Sequence, residues 1–347
     1  MTINVFDFFS GCGGTSCGFR EAGMNIKLGL DVDSEAANTY RFNFPEATFL
    51  EKDIRTLPAE ALSSSISQTE GRILFSGCAP CQPFSKQNRH QNENDPRLNL
   101  LGEFGRFIEH WLPDYVFVEN VPGMQKDCMK SETFLTFTNL LNKLGYSFDA
   151  AIVQALWFGV PQTRSRLVLV ASLHGEIKIP NATHGNGLNP YTTVKEWIKD
   201  LPALGAGQTD PSDNDHSAMN LSELNLRRIQ STLEGGGRET WPEELLLKCH
   251  KNYSGHSDVY GRLAWDKPAS GLTTKCLSYS NGRFGHPSQP RGLSLREAAS
   301  LQTFPRSYRF FGSLQSRARQ VGNAVPPLMA RSISKAFISD AATSVSV

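Results

Sequence analysis

The sequence predicts an α/β fold with a mostly parallel sheet, followed by a smaller, loop-rich domain. In the first half of the chain, short apolar runs typical of strands alternate with amphipathic helical patterns. From about residue 172 to 290 the periodicity weakens, and Gly, Asn, Pro and Ser become frequent. The length of 347 residues agrees with about two domains of roughly 150 residues each.

The predicted elements alternate as strand and helix up to residue 171. In chain order we predict strands at 3–8, 26–30, 73–75, 115–118 and 167–171, and helices at 15–22, 35–43, 98–112 and 134–144. Helical patterns return at 294–302 and 327–338, and we expect the last of these to pack back on the first domain. Because ligands bind at the carboxyl ends of the strands in such sheets, residues that follow strand ends are the candidates for a site.

The composition is that of a folded cytoplasmic protein. Hydrophobic residues make up 39% and charged residues 20% of the chain, which excludes a disordered protein. No apolar run is long enough for a transmembrane helix, and residues 1–9 lack the basic and apolar regions of a secretory signal. The seven cysteines follow no disulfide framework, so we expect reduced thiols and a cytoplasmic location.

Positive charge is concentrated in the C-terminal third. Residues 245–335 carry 14 Lys and Arg against three acids, a balance of +11, whereas the formal charge of the whole chain is +1. Such a distribution predicts a polyanion partner, although an ordinary solvated face would look the same.

A glycine-rich turn is predicted between the first strand and the first helix. Residues 7–14 (DFFSGCGG) would let a nucleotide-like ligand approach the backbone closely, but Ser16 stands where the dinucleotide fingerprint needs its third Gly. Asp31 follows the second strand, where a carboxylate can accept hydrogen bonds from ribose hydroxyls. Asp53 and Ile54 could meet an adenine ring. The alternative for each acid is a helix N-cap, which is favoured for Asp53 alone.

The sequence Cys78-Ala79-Pro80-Cys81 leaves several interpretations open. The pair could be redox-active or half of a zinc site, but no second Cys pair or paired His motif supplies the other half. Pro83 interrupts the helix that a thioredoxin-like motif would open. A single nucleophilic thiol and a buried structural cysteine remain.

Charged side chains follow two further strands. Glu119 and Asn120 stand at the end of one predicted strand, and Arg164 and Arg166 alternate in the next extended segment, so we expect the two guanidinium groups on one face. With a thiol at position 81, these groups form a plausible set for covalent catalysis.

Taken in order, these motifs resemble those of the DNA (cytosine-5-)-methyltransferases, of the bacterial and phage type found in restriction–modification. The matching segments are 7–14 (DFFSGCGG), 80–82 (PCQ), 119–121 (ENV), 162–166 (QTRSR), 291–305 (RGLSLREAASLQTFP) and 320–327 (QVGNAVPP). The resemblance implies an S-adenosylmethionine-dependent, Rossmann-like mixed sheet. It places the catalytic and cofactor-binding domain at 1–172 plus 318–347, and a small domain at 173–317 with target recognition at about 175–290. It also implies a monomer without an obligate protein partner.

The resemblance also implies roles for the catalytic candidates in methylating C5 of cytosine in double-stranded DNA. The Cys81 thiolate would add to C6 of the flipped base. Glu119 would contact N3 and the exocyclic amine and carry a proton for part of the cycle, which burial favours. Asn120 would hold the catalytic loop, and Arg164 and Arg166 would position the base, the adjoining phosphate and that loop.

Further contacts follow from the same resemblance. The implied cofactor-binding residues are Phe9, Ser10, Gly11, Gly13, Gly14, Asp31, Val32, Asp53, Ile54, Pro80, Leu100, Asn323, Ala324 and Val325. The implied DNA-binding residues are Gln82, Ser85, Arg227, Arg228, Arg262 and Lys275. Residues 80–102 would form a loop that closes over the flipped base. The histidines lack metal-ligand spacing, so no metal is predicted.

Three other functions share part of this pattern. A transfer-RNA cytosine methyltransferase has the same central motifs, but this chain lacks its Cys-Phe-Thr signature and has a long variable region. A nucleotide-dependent oxidoreductase would explain the glycine-rich turn, but not Cys81 and Glu119 together. A DNA-binding protein with a decayed active site is disfavoured because every expected catalytic position is filled.

Overall fold

The computed structural model describes residues 1–79, 99–121, 132–250, 255 and 258–343. The chain divides into two compact units. Unit 1 comprises Met1–Gln154, Ser165–Ala182 and Val325–Val347, and unit 2 comprises Ala155–Arg164 and Thr183–Ala324.

The strands and helices of the described residues are numbered in chain order. The strands are β1 (Ile3–Phe8), β2 (Asn25–Asp31), β3 (Thr48–Glu51), β4 (Arg72–Gly77), β5 (Tyr115–Asn120), β6 (Ser147–Gln154), β7 (Gln162–Thr163), β8 (Ser165–Ser172), β9 (Thr209–Asp210), β10 (Asp213–Ser217) and β11 (Ala269–Ser270). The α-helices are α1 (Gly14–Glu21), α2 (Ser34–Asn43), α3 (Ser63–Ser67), α4 (Leu100–Trp111), α5 (Glu132–Lys143), α6 (Val194–Ile198), α7 (Glu223–Gln230), α8 (Leu295–Leu301), α9 (Leu314–Asn323), α10 (Pro327–Ile333) and α11 (Lys335–Thr343).

Unit 1 is built on a mixed seven-stranded sheet in the order β3-β2-β1-β4-β5-β8-β6. The pairs from β3 through β5 are parallel, whereas β8 runs antiparallel to both β5 and β6. The strand order reverses between β1 and β4. In open α/β sheets, the carboxyl ends of the strands at such a reversal form the ligand-binding crevice. The residues just after β1, β2, β4 and β5 are therefore the candidates to line this crevice.

Aromatic side chains fill the core beneath this edge. The ring centroid of Phe8 lies 5.1 Å from that of Phe75, 5.1 Å from that of Phe104 and 5.2 Å from that of Phe107. All four side chains are buried. Each contributes about 2–3 kcal/mol of hydrophobic stabilisation. This cluster joins β1, β4 and α4 and fixes the base of the turn that follows Phe8.

Unit 2 has little regular structure and relies on buried ion pairs. Its short strands form two pairs, β9 with β10 and β7 with β11. The guanidinium group of Arg291 binds both carboxylate oxygens of Glu297 at 2.7 Å, and Glu297 also caps the start of α8. Arg296 binds Asp213 and Asp215 of β10. Arg291, Glu297 and Arg296 are buried, and the two pairs of Arg296 join α8 to β10, which lies far earlier in the chain.

The structure confirms the predicted α/β class and the mixed sheet, and it adds elements that the sequence pattern missed. Every predicted strand is present, mostly with one or two more residues at its ends. The predicted helix at 327–338 is two helices, α10 and α11, which meet at Ser334. Strands β3 and β6 and the helix α9 were not predicted. Within the described ranges, no helix is both long and apolar enough to cross a membrane.

Candidate active site

The turn after β1 has the backbone geometry expected of a close-approach loop. Phe9, Gly11 and Gly13 have φ angles of 55°, 52° and 88°, all in the left-handed region. For the non-glycine Phe9 this conformation costs on the order of 1 kcal/mol, which surrounding contacts must offset. Gly13 is the N-cap of α1 and supplies no side-chain cap. At Gly11, apart from its two chain neighbours, no heavy atom of the described residues lies within 4 Å of where a Cβ would stand, so a ligand could approach the backbone closely there.

Asp31, at the end of β2, holds this turn in place. Its Oδ2 accepts a hydrogen bond from Gly11 N at 2.8 Å, and its Oδ1 accepts one from Asp33 N at 2.9 Å. Burial raises the pKa of the Asp31 carboxyl, and these backbone donors oppose the rise. Ser10 is only 8% exposed, and its Oγ has no hydrogen-bond partner among the described residues. A buried hydroxyl without a partner fits a polar ligand at this turn.

The other predicted cofactor contacts in unit 1 differ in character. Val32 is 70% exposed beside Asp31, and Ile54 is buried. Leu100 is buried at the start of α4. The hydrogen bond from Arg55 holds the pKa of Asp53 below its usual value, and Asp53 also caps a turn through Arg55 N. The Asp53 carboxylate is thus engaged locally, but in a turn and not at a helix N-cap, because the next helical segment begins only at Ala59.

The first cysteine of the Cys-x-x-Cys sequence is a buried thiol. Cys78 follows β4, and its Sγ lies 3.5 Å from Thr15 Oγ1. Burial raises the pKa of this thiol well above its ordinary value, which suits a structural cysteine rather than a nucleophile. Pro80, Cys81, Gln82 and Ser85 lie outside the described residues, as does most of the predicted closing loop at 80–102. Among the described residues, no group of His, Cys, Asp or Glu could hold a metal ion.

Glu119 and Arg166 form a buried ion pair at the carboxyl end of β5. Arg166 Nε lies 2.7 Å from Glu119 Oε1, and the two side chains are 15% and 8% exposed. The antiparallel register of β5 and β8 sets Asn120 opposite Leu167, next to Arg166 in the chain. The pair places a carboxylate and a guanidinium side by side at the edge of the sheet where the crevice is expected.

The Asn120 side chain forms hydrogen bonds that hold the segment just before Cys81 in place. Its Nδ2 donates to Ala79 O at 3.2 Å, and its Oδ1 accepts from Val121 N at 2.7 Å. Ala79 stands two residues before Cys81. The side chain therefore ties the ends of β4 and β5 together at the point where both chains leave the sheet.

Arg164 and Arg166 do not present two guanidinium groups on one face, contrary to the prediction. The chain leaves β7 at Thr163 and enters β8 at Ser165, so alternation does not continue across Arg164. Arg166 belongs to unit 1 and Arg164 to unit 2. Arg164 is buried and donates to the carbonyl oxygens of Leu272, Gly322 and Ala324, at the end of α9.

Two of the side chains predicted to contact DNA instead form hydrogen bonds within unit 2. Arg228 donates to Leu245 O and Asn225 Oδ1 and lies over the rings of Trp241 and Tyr260. Arg262 is buried and donates to four carbonyl oxygens, those of Ile229, His286, Pro287 and Gln289. Neither guanidinium can reach a base without breaking these bonds, which corrects the prediction for Arg228 and Arg262. Arg227 and Lys275 are exposed.

The motif at 320–327 spans the boundary between the units. Asn323 is exposed at the last turn of α9, Ala324 is its C-cap, and both belong to unit 2. Val325 is buried and begins the last segment of unit 1.

Sequence reasoning assigned no role to two groups of buried polar residues. In unit 2, the fully buried Gln162 donates to Leu301 O and to Gln302 Oε1, and Gln302 in turn donates to Ala324 O. In unit 1, Asp7 lies fully buried within β1. The sequence did contain an indication of this. Asp7 stands inside a mostly apolar strand, and a buried acid requires hydrogen-bond partners.

Comparison with known proteins agrees with this arrangement. The model of the family described as "C-5 cytosine-specific DNA methylase" matches residues 3–339. The chain belongs to this family. The type II methylase M.HgiDII of Herpetosiphon aurantiacus is 41% identical, over 97% of this chain and 95% of that protein. The type II methyltransferase M1.HphI of Haemophilus parahaemolyticus is 34% identical, over 97% of this chain and 87% of that protein.

A solved structure shares the fold. It is a putative DNA modification methyltransferase encoded within an E. coli prophage, with a TM-score of 0.77 and 25% identity, covering 97% of this chain and 99% of that one. The C-5 cytosine methylase family thus accounts for the order of motifs, and the protein is a DNA (cytosine-5-)-methyltransferase.

Proposed function

We propose that the protein transfers a methyl group from S-adenosylmethionine to C5 of cytosine within a short sequence of double-stranded DNA. The target base is flipped out of the helix, and Cys81 forms a transient covalent bond to C6. The observation that carries the proposal is the buried Glu119–Arg166 pair, 2.7 Å apart at the carboxyl end of β5. A cytosine entering this crevice would meet the carboxyl group of Glu119, which must carry a proton to donate to N3 and whose other oxygen accepts from the amine, and the guanidinium of Arg166 at O2.

The proposed steps conserve atoms and charge. The Cys81 thiolate adds to C6, and Glu119 gives a proton to N3, so C5 becomes an enamine-like nucleophile. C5 would take the methyl carbon as the bond between that carbon and the donor's sulfonium sulfur breaks, and the donor would leave as a neutral thioether. A base, for which water suffices, then removes the C5 proton as the C6–S bond breaks and N3 returns its proton. Asn120, bonded to Ala79 O, positions the chain before Cys81 for this addition.

The residues of unit 1 at the turn fit the proposed cofactor. S-adenosylmethionine supplies an electrophilic methyl group on a sulfonium centre. We assign the ribose hydroxyls to Asp31, a polar contact to the Ser10 hydroxyl and an adenine contact to Val32, whose side chain is exposed. Phe9, Gly11, Gly13 and Gly14 form the turn, and Pro80, Leu100, Asn323, Ala324 and Val325 remain proposed contacts. Asp53 is the weakest candidate because Arg55 occupies its carboxylate.

We propose that target recognition lies within residues 175–290 and that unit 1 carries out catalysis. Arg227 and Lys275 are exposed and are the candidates for DNA contacts, with Gln82 and Ser85 proposed beside the flipped base. Arg164 is proposed as a positioning residue for the end of α9 rather than a contact to the base. Flipping costs a few kcal/mol of base unstacking, which phosphate contacts can offset.

We propose a role in a restriction–modification system, acting as a monomer. Both relatives named above carry type II designations, and their lengths are matched almost completely. The chain would then protect the host's DNA at the sequence that a partner endonuclease cleaves.

Base-resolution methylation sequencing tests the reaction. The wild type and Cys81→Ser are expressed in a host without cytosine methylation, with Cys249→Ser as the matched control because Cys249 is an exposed free thiol. We expect 5-methylcytosine at one short motif with the wild type and Cys249→Ser only.

Unmodified DNA from a soluble wild type that binds the cofactor would contradict the DNA assignment and make RNA the leading substrate. Methylation by Cys81→Ser at a substantial rate would instead contradict the nucleophile. Covalent trapping on DNA that contains 5-fluorocytosine gives an independent reading of the adduct, since loss of the C5 proton is then blocked.

A further inference from the structure

A buried acid that the proposed mechanism does not use lies directly beneath the glycine-rich turn. Asp7 is fully buried in β1, two residues before Phe9. Its Oδ2 accepts a hydrogen bond from Ser16 Oγ at 2.6 Å, and its Oδ1 accepts one from Ser76 Oγ at 2.9 Å. Because Ser16 donates its only hydroxyl proton to Asp7, Tyr40 OH must donate to Ser16 Oγ, 2.8 Å away.

Asp7 also takes the place of a missing helix cap. The N-cap of α1 is Gly13, which has no side chain, and the first turn of α1 contains no acid. Asp7 accepts a further hydrogen bond from the backbone of Ser16, in that first turn. An anion at this position is stabilised by the positive end of the helix dipole. The carboxylate thereby links β1, α1 and β4 around the turn.

Among the residues that the structure describes, those that interact with Asp7 supply hydrogen bonds and no positive charge. The electrostatic interaction identified for its carboxyl is with another acid, Asp31, across the turn. Burial raises the pKa of Asp7 to about 6, against the opposing hydrogen bonds. The titratable and polar groups that face it are Cys12 of the turn, Ser16 of α1, Tyr40 of α2, Asp31 of β2, and Ser76 and Cys78 on and after β4.

The two thiols and the phenol among these groups stay uncharged near neutral pH. Burial raises the pKa of Cys12 to about 12, and it raises the pKa values of Cys78 and Tyr40 well above their ordinary values. Two carboxylates, Asp7 and Asp31, therefore flank the turn. A ligand that brings a positive charge to this turn would relieve their mutual repulsion.

We propose that Asp7 is a positioning residue that serves as the buried counter-charge for a cationic cofactor, so that cofactor binding and loss of the Asp7 proton are coupled. This inference rests on the proposed function, because S-adenosylmethionine carries a sulfonium cation that its product, S-adenosylhomocysteine, lacks. Asp7 then favours the methyl donor over the product, and it does so only when ionised.

The sign of the effect follows from linkage. A bound cation favours the carboxylate, so the pKa of Asp7 falls on binding and a proton is released. Affinity for the donor therefore rises as the pH rises through about 6 and is lost below it. The slope cannot exceed about tenfold per pH unit, because one proton is involved.

The test is the ratio of the dissociation constants of the two ligands, measured by calorimetry from pH 5 to pH 8. The ratio removes contributions from the ribose and amino-acid groups that both ligands share, including ribose contacts of Asp31, and Asp7→Asn separates the response of Asp7 to the sulfonium from that of Asp31. For the wild type we expect preference for S-adenosylmethionine to grow by up to about tenfold from pH 5 to pH 7. Near pH 6, binding should release up to about half a proton, read from buffers with different ionisation heats.

Three variants sharpen the test. Asp7→Asn should make the ratio independent of pH. Ser76→Ala removes one hydrogen bond to the carboxylate, so the midpoint should move to higher pH. Asp266→Asn, the same change at an exposed acid, should behave as the wild type. If Asp7→Asn does not fold, the wild-type proton release and the Ser76→Ala shift still decide the question.

A wild-type ratio that does not change with pH, or the same pH profile in Asp7→Asn, would overturn the role of Asp7 while leaving the proposed function intact. Failure of both ligands to bind at any pH would instead overturn the proposed function, and the inference with it.

Discussion

At the scale of single residues, the structure distinguishes two arginines that look equivalent in the sequence. Arg166 binds the buried carboxylate of Glu119, whereas Arg164 binds backbone carbonyls at the end of α9. The first is proposed to act at the base and the second to position the chain, although they are two residues apart.

Arg166→Ala should destabilise unit 1 strongly, because it leaves the Glu119 carboxylate buried without its ion-pair partner. We expect a loss of about 3–5 kcal/mol in the free energy of unfolding. Arg166→Lys should recover part of it, since the charge remains but the planar fork of donors does not. The matched control is Arg41→Ala, which breaks the Arg41–Glu51 pair on the surface, where the two side chains are 45% and 37% exposed.

Arg41→Ala should lower the free energy of unfolding by less than about 1 kcal/mol. Urea denaturation of the three variants and the wild type measures the differences. Equal losses for Arg166→Ala and Arg41→Ala would show that Glu119 is solvated in solution.

The sequence located Glu119 and Asn120 because they terminate an apolar run, and strand ends are where such sheets bind ligands. It could not separate the two arginines, since the rule that alternate residues share a face holds only within one continuous strand. The break between β7 and β8 is a tertiary effect: β7 pairs with β11, which lies more than 100 residues further along the chain.

At the scale of elements, the helix α10 packs on α1 at a glycine. A Cβ added at Gly18 would lie 2.1 Å from Pro327 O and 2.8 Å from Ala330 Cβ. Gly18 is in the interior of α1, where alanine would otherwise favour the helix by about 1 kcal/mol. The close approach of the two helices is therefore the reason for a glycine at this position.

Gly18→Ala should lower the free energy of unfolding by about 1–3 kcal/mol despite the better helix propensity, because Pro327 O and Arg331 N belong to the backbone and Ala330 Cβ is fixed directly to it, so none can move alone. Gly105→Ala in α4 is the matched control. Its added Cβ would lie 2.8 Å from Leu140 Cδ2, a side-chain methyl that can rotate away. Denaturant unfolding compares the two.

If Gly18→Ala lowers the free energy of unfolding by less than Gly105→Ala does, the contact between α1 and α10 is not rigid and the explanation for this glycine is wrong.

The elements that were missed share a physical cause. β6 is an edge strand with mostly half-exposed residues, including the exposed Ile152, so its sequence lacks the apolar run that marks the central strands. α9 buries small and polar residues such as Ser316, Ala318 and Gln320 rather than an apolar stripe. The buried strands β1, β4 and β5 were predictable because burial on both faces leaves a continuous apolar signal.

At the scale of the whole molecule, the charge distribution in sequence overstates the charge available for DNA. In the described part of 245–335, five basic residues are ion-paired with carboxylates, and three of these pair with Asp213 or Asp215, which precede the stretch. The five are Arg283, Arg291, Arg296, Arg309 and Arg317. For Arg296, Arg309 and Arg317 the sequence could not show this, because Asp213 and Asp215 are distant in the chain.

The salt dependence of DNA binding should reflect the positive charges that are exposed and not ion-paired, rather than the total number of Lys and Arg residues in this stretch. Because these ion pairs and the buried Arg262 remove charge from the surface, the slope of log K against log salt should be clearly shallower than the roughly −13 that 14 phosphate contacts would give. Lys275→Ala and Arg309→Ala each remove one positive charge, but Arg309 is already paired with Asp213 at 2.9 Å. If Lys275 contacts a phosphate, its loss should make the slope shallower by about 0.9, and the loss of Arg309 should change it by much less. Fluorescence anisotropy with a fixed duplex from 50 to about 300 mM salt gives both slopes. Equal changes for the two variants would mean that net charge, not local contact, governs binding, and Lys275 would lose its place on the DNA-binding surface.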